Sequence, residues 1–216
     1  MKLIETLRDE HALIDRMLGA LRTYVDTLAG GRADPQDGPR FAAFFTEFAG
    51  HYHHDREERG LFDALVNEAE LPRERGPVHA LTHDHARMAQ WLGEMTPLLA
   101  QAPRSDDERT RLRTLATRYS HALWRHIDAE NSVLYPEGEE RLARCGVREL
   151  PDRPPNAAEA TARDHAAALL ARYPFVEDAV LARGDGCSMC PAHGETCEGL
   201  EAEWWSDLEW DEFFER

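Results

Sequence analysis

The chain has 216 residues, of which 42% are hydrophobic and 31% charged, and a formal net charge of −16 at pH 7. That length allows one domain with a full core and an extension beyond it. No apolar run approaches the roughly 18 residues of a membrane helix, and so much negative charge argues against nucleic acid or an anionic membrane surface as a partner. Residues 1–10 become charged before an apolar signal core could form, so no secretory signal is expected and a cytoplasmic location is the default.

Helical periodicity begins at once. Leu3, Leu7, Ile14, Leu18, Leu21, Val25 and Leu28 fall on one stripe over residues 3–28, and Gly30-Gly31 ends it. A second long helix is expected over about 40–68, with Phe41, Phe44, Phe45, Phe48, Leu61, Phe62 and Leu65 as its apolar surface, before Pro72 and Gly76-Pro77 break the chain. A third covers about 78–100 through Leu81, Met88, Trp91, Leu92, Met95 and Leu99. Ser105 with Glu108 forms a capping box for a fourth, which carries Leu112, Leu115, Tyr119, Leu123, Ile127, Val133 and Leu134; Tyr135-Pro136 weakens or ends it. Strand-type alternation is absent. The fold class is therefore all-α: an up-down-up-down four-helix bundle over 1–145. A proline-rich linker and a short helix capped by Asn156 and Glu159 follow over 146–183. An acidic, aromatic, cysteine-containing tail occupies 184–216.

The histidines give these helices chemistry. His11 follows Glu10 on the first helix, and His85 follows Asp84 on the third. The second helix carries His53 with Glu57, and the fourth His126 with Glu130. Residues four apart share a helix face, so each His-x3-Glu pair aims an imidazole and a carboxylate at one point. Two such helices, with one histidine from each of the others, place four imidazoles and two carboxylates near a common axis, a donor set suited to iron, manganese or zinc. His54 with Glu58 is a second His-x3-Glu pair one residue along, so the register on the second helix is open at this point. His51, His79, His83, His121 and His165 are read as solvated or hydrogen-bonded helix residues, and Tyr52, Trp91, Tyr119 and Trp124 as packing.

The pattern occurs twice. Residues 53–62 align with 126–135, and the spacing from His11 to His53 nearly equals that from His85 to His126. In this arrangement, with the Leu-aromatic-Pro run at Leu134-Tyr135-Pro136, the first 140 or so residues resemble the hemerythrin-like family, the HHE cation-binding domains. The resemblance implies an oxo- or hydroxo-bridged diiron centre with exchangeable positions for a small molecule such as O2, NO or peroxide. It also implies His11, His53, Glu57, His85, His126 and Glu130 as the ligands.

A second metal site is expected at Cys187, Cys190, His193 and Cys197, whose three thiolates and one imidazole suit tetrahedral zinc, with an iron–sulfur cluster as the alternative. Cys145 reads as a lone thiol. Three functions follow from these features. The first is binding of a small diatomic ligand or peroxide for sensing, storage or stress response. The second is repair of iron–sulfur centres or consumption of peroxide, the enzymatic roles that the resemblance implies. The third is an iron-responsive regulatory module that meets a protein partner through its acidic aromatic tail.

Overall fold

The computed structural model describes residues 1–175 except 102 and 104. Among the described residues there is no strand, and no helix is long and apolar enough to cross a membrane. Four long helices form the bundle. The first, α1, spans Lys2–Ala29 and α3 spans Gly76–Gln101. Helix α2 runs over residues 37–67 and α4 over 106–144, each interrupted by π-helical stretches: Phe44–His54 and Glu57–Phe62 in α2, Glu130–Leu134 in α4. Helix α5, Ala157–Arg172, lies against α1 and α2.

The expected caps are present. Ser105 Oγ accepts from the Glu108 amide at 3.1 Å, and Glu108 returns the bond to the Ser105 amide. Asn156 and Glu159 make the same reciprocal pair at the start of α5. Of the two outcomes expected at Tyr135-Pro136, the fourth helix is interrupted just before it and does not end there, continuing to Arg144. A proline lacks the N–H that an α-helical ladder needs and crowds the preceding turn. The π-helical stretch Glu130–Leu134 ends with only Tyr135 between it and Pro136, so the proline enters in the turn that follows an interruption of the regular ladder.

The core comes in two parts. One apolar cluster contains Ile14, Leu18 and Tyr24 of α1, Phe41 to Tyr52 of α2, Met88 to Leu99 of α3 and Leu112 to Ile127 of α4. The other contains Leu3, Ile4 and Leu7, Leu61 to Leu71, Val78 and Leu81, and Leu134, Tyr135 and Leu142. On each of α1 to α4, buried histidine or glutamate lies at the junction of these two sets: His11, the 53–57 turn, His85, and His126 with Glu130. The fold therefore sandwiches one polar layer between two dry ones.

The far end of the bundle is closed by Asp37. Its fully buried carboxylate accepts from Arg172 at 2.8 and 3.0 Å, from Tyr173 at 2.9 Å and from Arg40 at 2.7 Å. Burial alone would raise its pKa, but the Arg172, Tyr173 and Arg40 donors hold it below the ordinary value. This clamp fixes the end of α5 to the start of α2. Beside it, Gly38 lets α2 approach the end of α3 closely. A Cβ there would stand 2.1 Å from the Leu99 carbonyl oxygen and 2.8 Å from the Tyr24 hydroxyl. The first of these is backbone and cannot rotate away. Gly38→Ala should therefore lower stability by about 1–3 kcal/mol, the usual range for overpacking, read from the midpoint of chemical denaturation.

Candidate metal centre

The polar layer gathers its donors around Glu57. Glu57 Oε1 lies 3.5 Å from His11 Nε2 and 3.3 Å from His53 Nε2, while Oε2 lies 3.5 Å from His85 Nε2. Glu130 Oε2 stands 3.3 Å from His11 Nε2 and 3.2 Å from His126 Nε2, so it also touches both halves of the repeat. Two groups of donor atoms result, each lying within 4.8 Å of one another: His11, His53 and Glu57 in one, and His54, Glu57, His85 and His126 in the other. They share Glu57, one of whose oxygens faces each side. All six of these side chains are buried, and so is that of Glu130.

The two possible registers on α2 are not exclusive in the structure. His53 and His54 both point into the layer, their rings 5.6 Å apart, and His54 stacks on His85 at 4.0 Å. Glu57 is wholly buried, whereas Glu58 stays at the rim, its side chain 41% exposed. Both pairs lie in the π-helical part of α2. A π-helical turn holds more residues than an α-helical one, so successive side chains diverge less and two neighbours can serve one centre.

The outer nitrogens show how the imidazoles are aimed. His53 Nδ1 lies 2.9 Å from Glu10 Oε2, His85 Nδ1 lies 2.8 Å from Glu58 Oε1, and His11 Nδ1 lies 3.0 Å from Asn131 Oδ1. His126 Nδ1 faces Asp84 Oδ2 at 3.8 Å. An ionised carboxylate only accepts, so the imidazole proton belongs on Nδ1 and the Nε2 lone pair is left facing the centre. Each steering residue is a sequence neighbour of a donor on another helix. Glu10 and Asp84 precede His11 and His85; Glu58 and Asn131 follow Glu57 and Glu130. The sequence carries these positions in plain view, but helix-face reasoning gives them no role, because they contact the helix beside their own.

Glu10 is held in turn. Buried Arg56 donates to both of its oxygens, at 2.7 and 2.8 Å, and to Asp152 in the connector before α5 at 2.6 Å. The neighbouring Arg153 donates to Asp55, Glu159 and the His51 carbonyl. The remaining histidines lie outside the donor groups. His51 pairs with Glu47, His121 with Arg22, His79 and His83 are exposed, and His165 is half-buried on α5. Cys145 is a free, exposed thiol. Cys187, Cys190, His193, Cys197 and the aromatic tail lie outside the described residues.

Electrostatics fit a cation. Burial by itself would make both carboxylates harder to ionise, yet the surrounding imidazoles hold Glu57 well below the ordinary range and Glu130 below it. Burial likewise opposes protonation of His53 and His126, but the carboxylates override it and lift them to about 9 and about 10. His54, buried and beside His85, is driven the other way and stays neutral. The layer thus attracts positive charge, which protons supply in the absence of a metal. Several inward atoms have no hydrogen bond at all among the described residues: His53 Nε2, His54 Nε2, Glu57 Oε2 and both Glu130 oxygens. Buried polar atoms left without partners are costly and rare. Here they converge, and His85 Nε2 and His126 Nε2 approach to 2.8 Å. Two lone pairs that close call for a proton or a metal ion between or beside them. The layer is a buried His/Glu cluster that could hold metal.

The comparison with known families agrees. No curated protein matches the chain. The family model for the hemerythrin HHE cation binding domain matches residues 2–137, which cover α1 to α3 and all of α4 that carries donors. The chain therefore belongs to the hemerythrin HHE cation binding domain family.

Proposed function

We propose that the centre is a non-haem diiron site that binds a small molecule such as O2, NO or peroxide. The observation that carries this reading is the pair of donor groups meeting at Glu57. One group offers His11 and His53 and the other His54, His85 and His126, with Glu57 and Glu130 within reach of both. In this reading Glu57 and Glu130, each near histidines of both halves, would hold the two ions together with the five imidazoles. Imidazole and carboxylate together suit iron, which bound there would supply exchangeable coordination positions and two accessible oxidation states.

The protein's own part is to aim, insulate and admit. Glu10, Glu58 and Asn131 hold His53, His85 and His11 in the tautomer and orientation a metal needs. The two apolar clusters keep bulk water from the layer on either side. A groove of about 1050 Å³ between α2 and α3 reaches His54 and His85, with Phe45, Met88, Leu92 and Tyr119 along its apolar wall. It is a route for a small molecule to the side with three histidines. The groove has this apolar wall, and the carboxylates in its lining, Asp55, Glu58 and Glu159, are paired with Arg59 and Arg153, with His85, and with Arg153; both features support binding as the primary role.

Metal analysis with visible spectroscopy of aerobically purified protein tests the reading. About two irons per chain with absorption from a bridged ferric pair is the expected result; one zinc and no iron would overturn it. Glu130→Ala should lose most of the iron, since Glu130 contacts both halves, while His165→Ala on α5 should retain all of it.

Metal removal should also cost stability. A site that exists only in the folded chain stabilises it by about 2.7 kcal/mol at a hundredfold excess of ligand over its dissociation constant. For a domain of this size, chelation should lower the melting temperature by roughly 5–10 °C, measured by calorimetry before and after iron is removed. An unchanged melting temperature would mean that the layer holds no metal of consequence.

A further inference from the structure

The two halves of the repeat match closely enough that their differences can be counted. His53 corresponds to His126, Glu57 to Glu130, Glu10 to Asp84 and His11 to His85. Phe62 and Tyr135 also correspond, and both rings stack on the histidine of the helix beside them. Phe62 lies 5.8 Å from His85 with 11° between the planes, and Tyr135 lies 5.4 Å from His11 with 2°. Two of the differences bear on the donor set. Position 54 is histidine where its counterpart, 127, is isoleucine. Position 135 is tyrosine where its counterpart, 62, is phenylalanine.

These two exceptions fall on opposite sides of the centre. His54 adds a third imidazole to the group of His85 and His126. The hydroxyl of Tyr135 lies on the other side, with His11 and His53, where the described residues supply two imidazoles. It donates to Glu57 Oε1, the oxygen that faces this side, and stands 3.4 Å from His11 Nε2. Donor atoms each about 2.0–2.2 Å from one ion and at right angles to each other lie about 3 Å apart. Tyr135 Oη to His11 Nε2 at 3.4 Å, His11 Nε2 to Glu57 Oε1 at 3.5 Å and His53 Nε2 to Glu57 Oε1 at 3.3 Å are near that spacing, and Tyr135 Oη is in direct contact with Glu57 Oε1. The Tyr135 side chain is fully buried, and nothing about its packing requires an oxygen, since Phe62 fills the equivalent place without one.

We infer that Tyr135 is a further metal ligand, whose phenolate oxygen occupies the coordination position that the two-histidine side otherwise leaves exchangeable. This rests on the diiron reading and extends it. On metal binding the O–H bond of Tyr135 breaks, its proton leaves to solvent, and the oxygen shares its electron pair with the ferric ion; no electron is transferred. A hard phenolate suits a ferric ion. An exogenous anion must then displace Tyr135 to bind on that side.

The test compares the iron-loaded full chain with its Tyr135→Phe variant, using visible absorption, resonance Raman and titration with azide as the anionic probe. The wild type should show phenolate-to-iron charge transfer with tyrosine ring modes enhanced, and the variant should lose both while keeping two irons. Azide should bind the variant about tenfold more tightly or better, as expected if the phenolate holds the position at least nine-tenths of the time. Two irons per chain without phenolate modes in the wild type would overturn the assignment of Tyr135 and leave the diiron reading standing. Equal azide affinity in the two proteins would overturn the claim that the phenolate holds that position against an exogenous anion. No iron in either would bring down both. The wild-type Raman spectrum decides the matter alone if the variant folds poorly.

Discussion

A carboxylate removed from water must find compensating charge, and the whole layer is organised around that demand at Glu57. Its side chain has no exposed surface, and it faces histidines from α1, α2 and α3. A lone buried anion would be costly, and burial of an ion pair is itself only weakly favourable. Glu57 is tolerable because imidazoles surround it, and those imidazoles are tolerable because carboxylates surround them. Remove the positive charge from the centre and the arrangement is a set of mutually exposed lone pairs.

The bundle shields this polar layer with apolar ones. Leu7 and Ile14 bracket His11, Leu81 and Met88 bracket His85, and Ile127 and Leu134 bracket Glu130. The dry layers supply the burial energy that a polar centre cannot. The steering contacts then link the helices in sequence: α1 orients a histidine of α2 through Glu10, α2 one of α3 through Glu58, and α4 one of α1 through Asn131. Asp84 of α3 faces His126 of α4 at a longer distance, completing the circuit.

Much of this was readable from the chain. Leu3 to Leu28, the Ser105 and Asn156 caps, and the recurrence of histidine with glutamate four residues on define the helices and the helix faces that meet. What could not be read depends on departures from the ideal helix. The rule that residues four apart share a face treats His53 and His54 as rivals. The π-helical stretch around them removes the contest, and no residue between Phe44 and His54 announces it. The same device carries α4 through Pro136. Tyr135 belongs to a recognisable run of sequence, but its hydroxyl acquires meaning only when the tertiary contact with Glu57 is known. Arg56 reads as one more charge on a charged helix until its burial between Glu10 and Asp152 is seen. The expected cysteine site at Cys187, Cys190, His193 and Cys197 lies beyond the described residues.

The connector that carries Asp152 lies after the segment matched by the family model, yet it is one hydrogen bond from Arg56, two from Glu10 and three from His53. Thermodynamic reciprocity applies to such a chain of contacts. Whatever free energy the docked connector contributes to holding His53 for a metal, a metal on His53 returns to the docking of the connector. An adjunct to the bundle is in this way made a reporter of what the bundle holds, and α5, joined to it through Arg153 and Glu159, shares the same ledger.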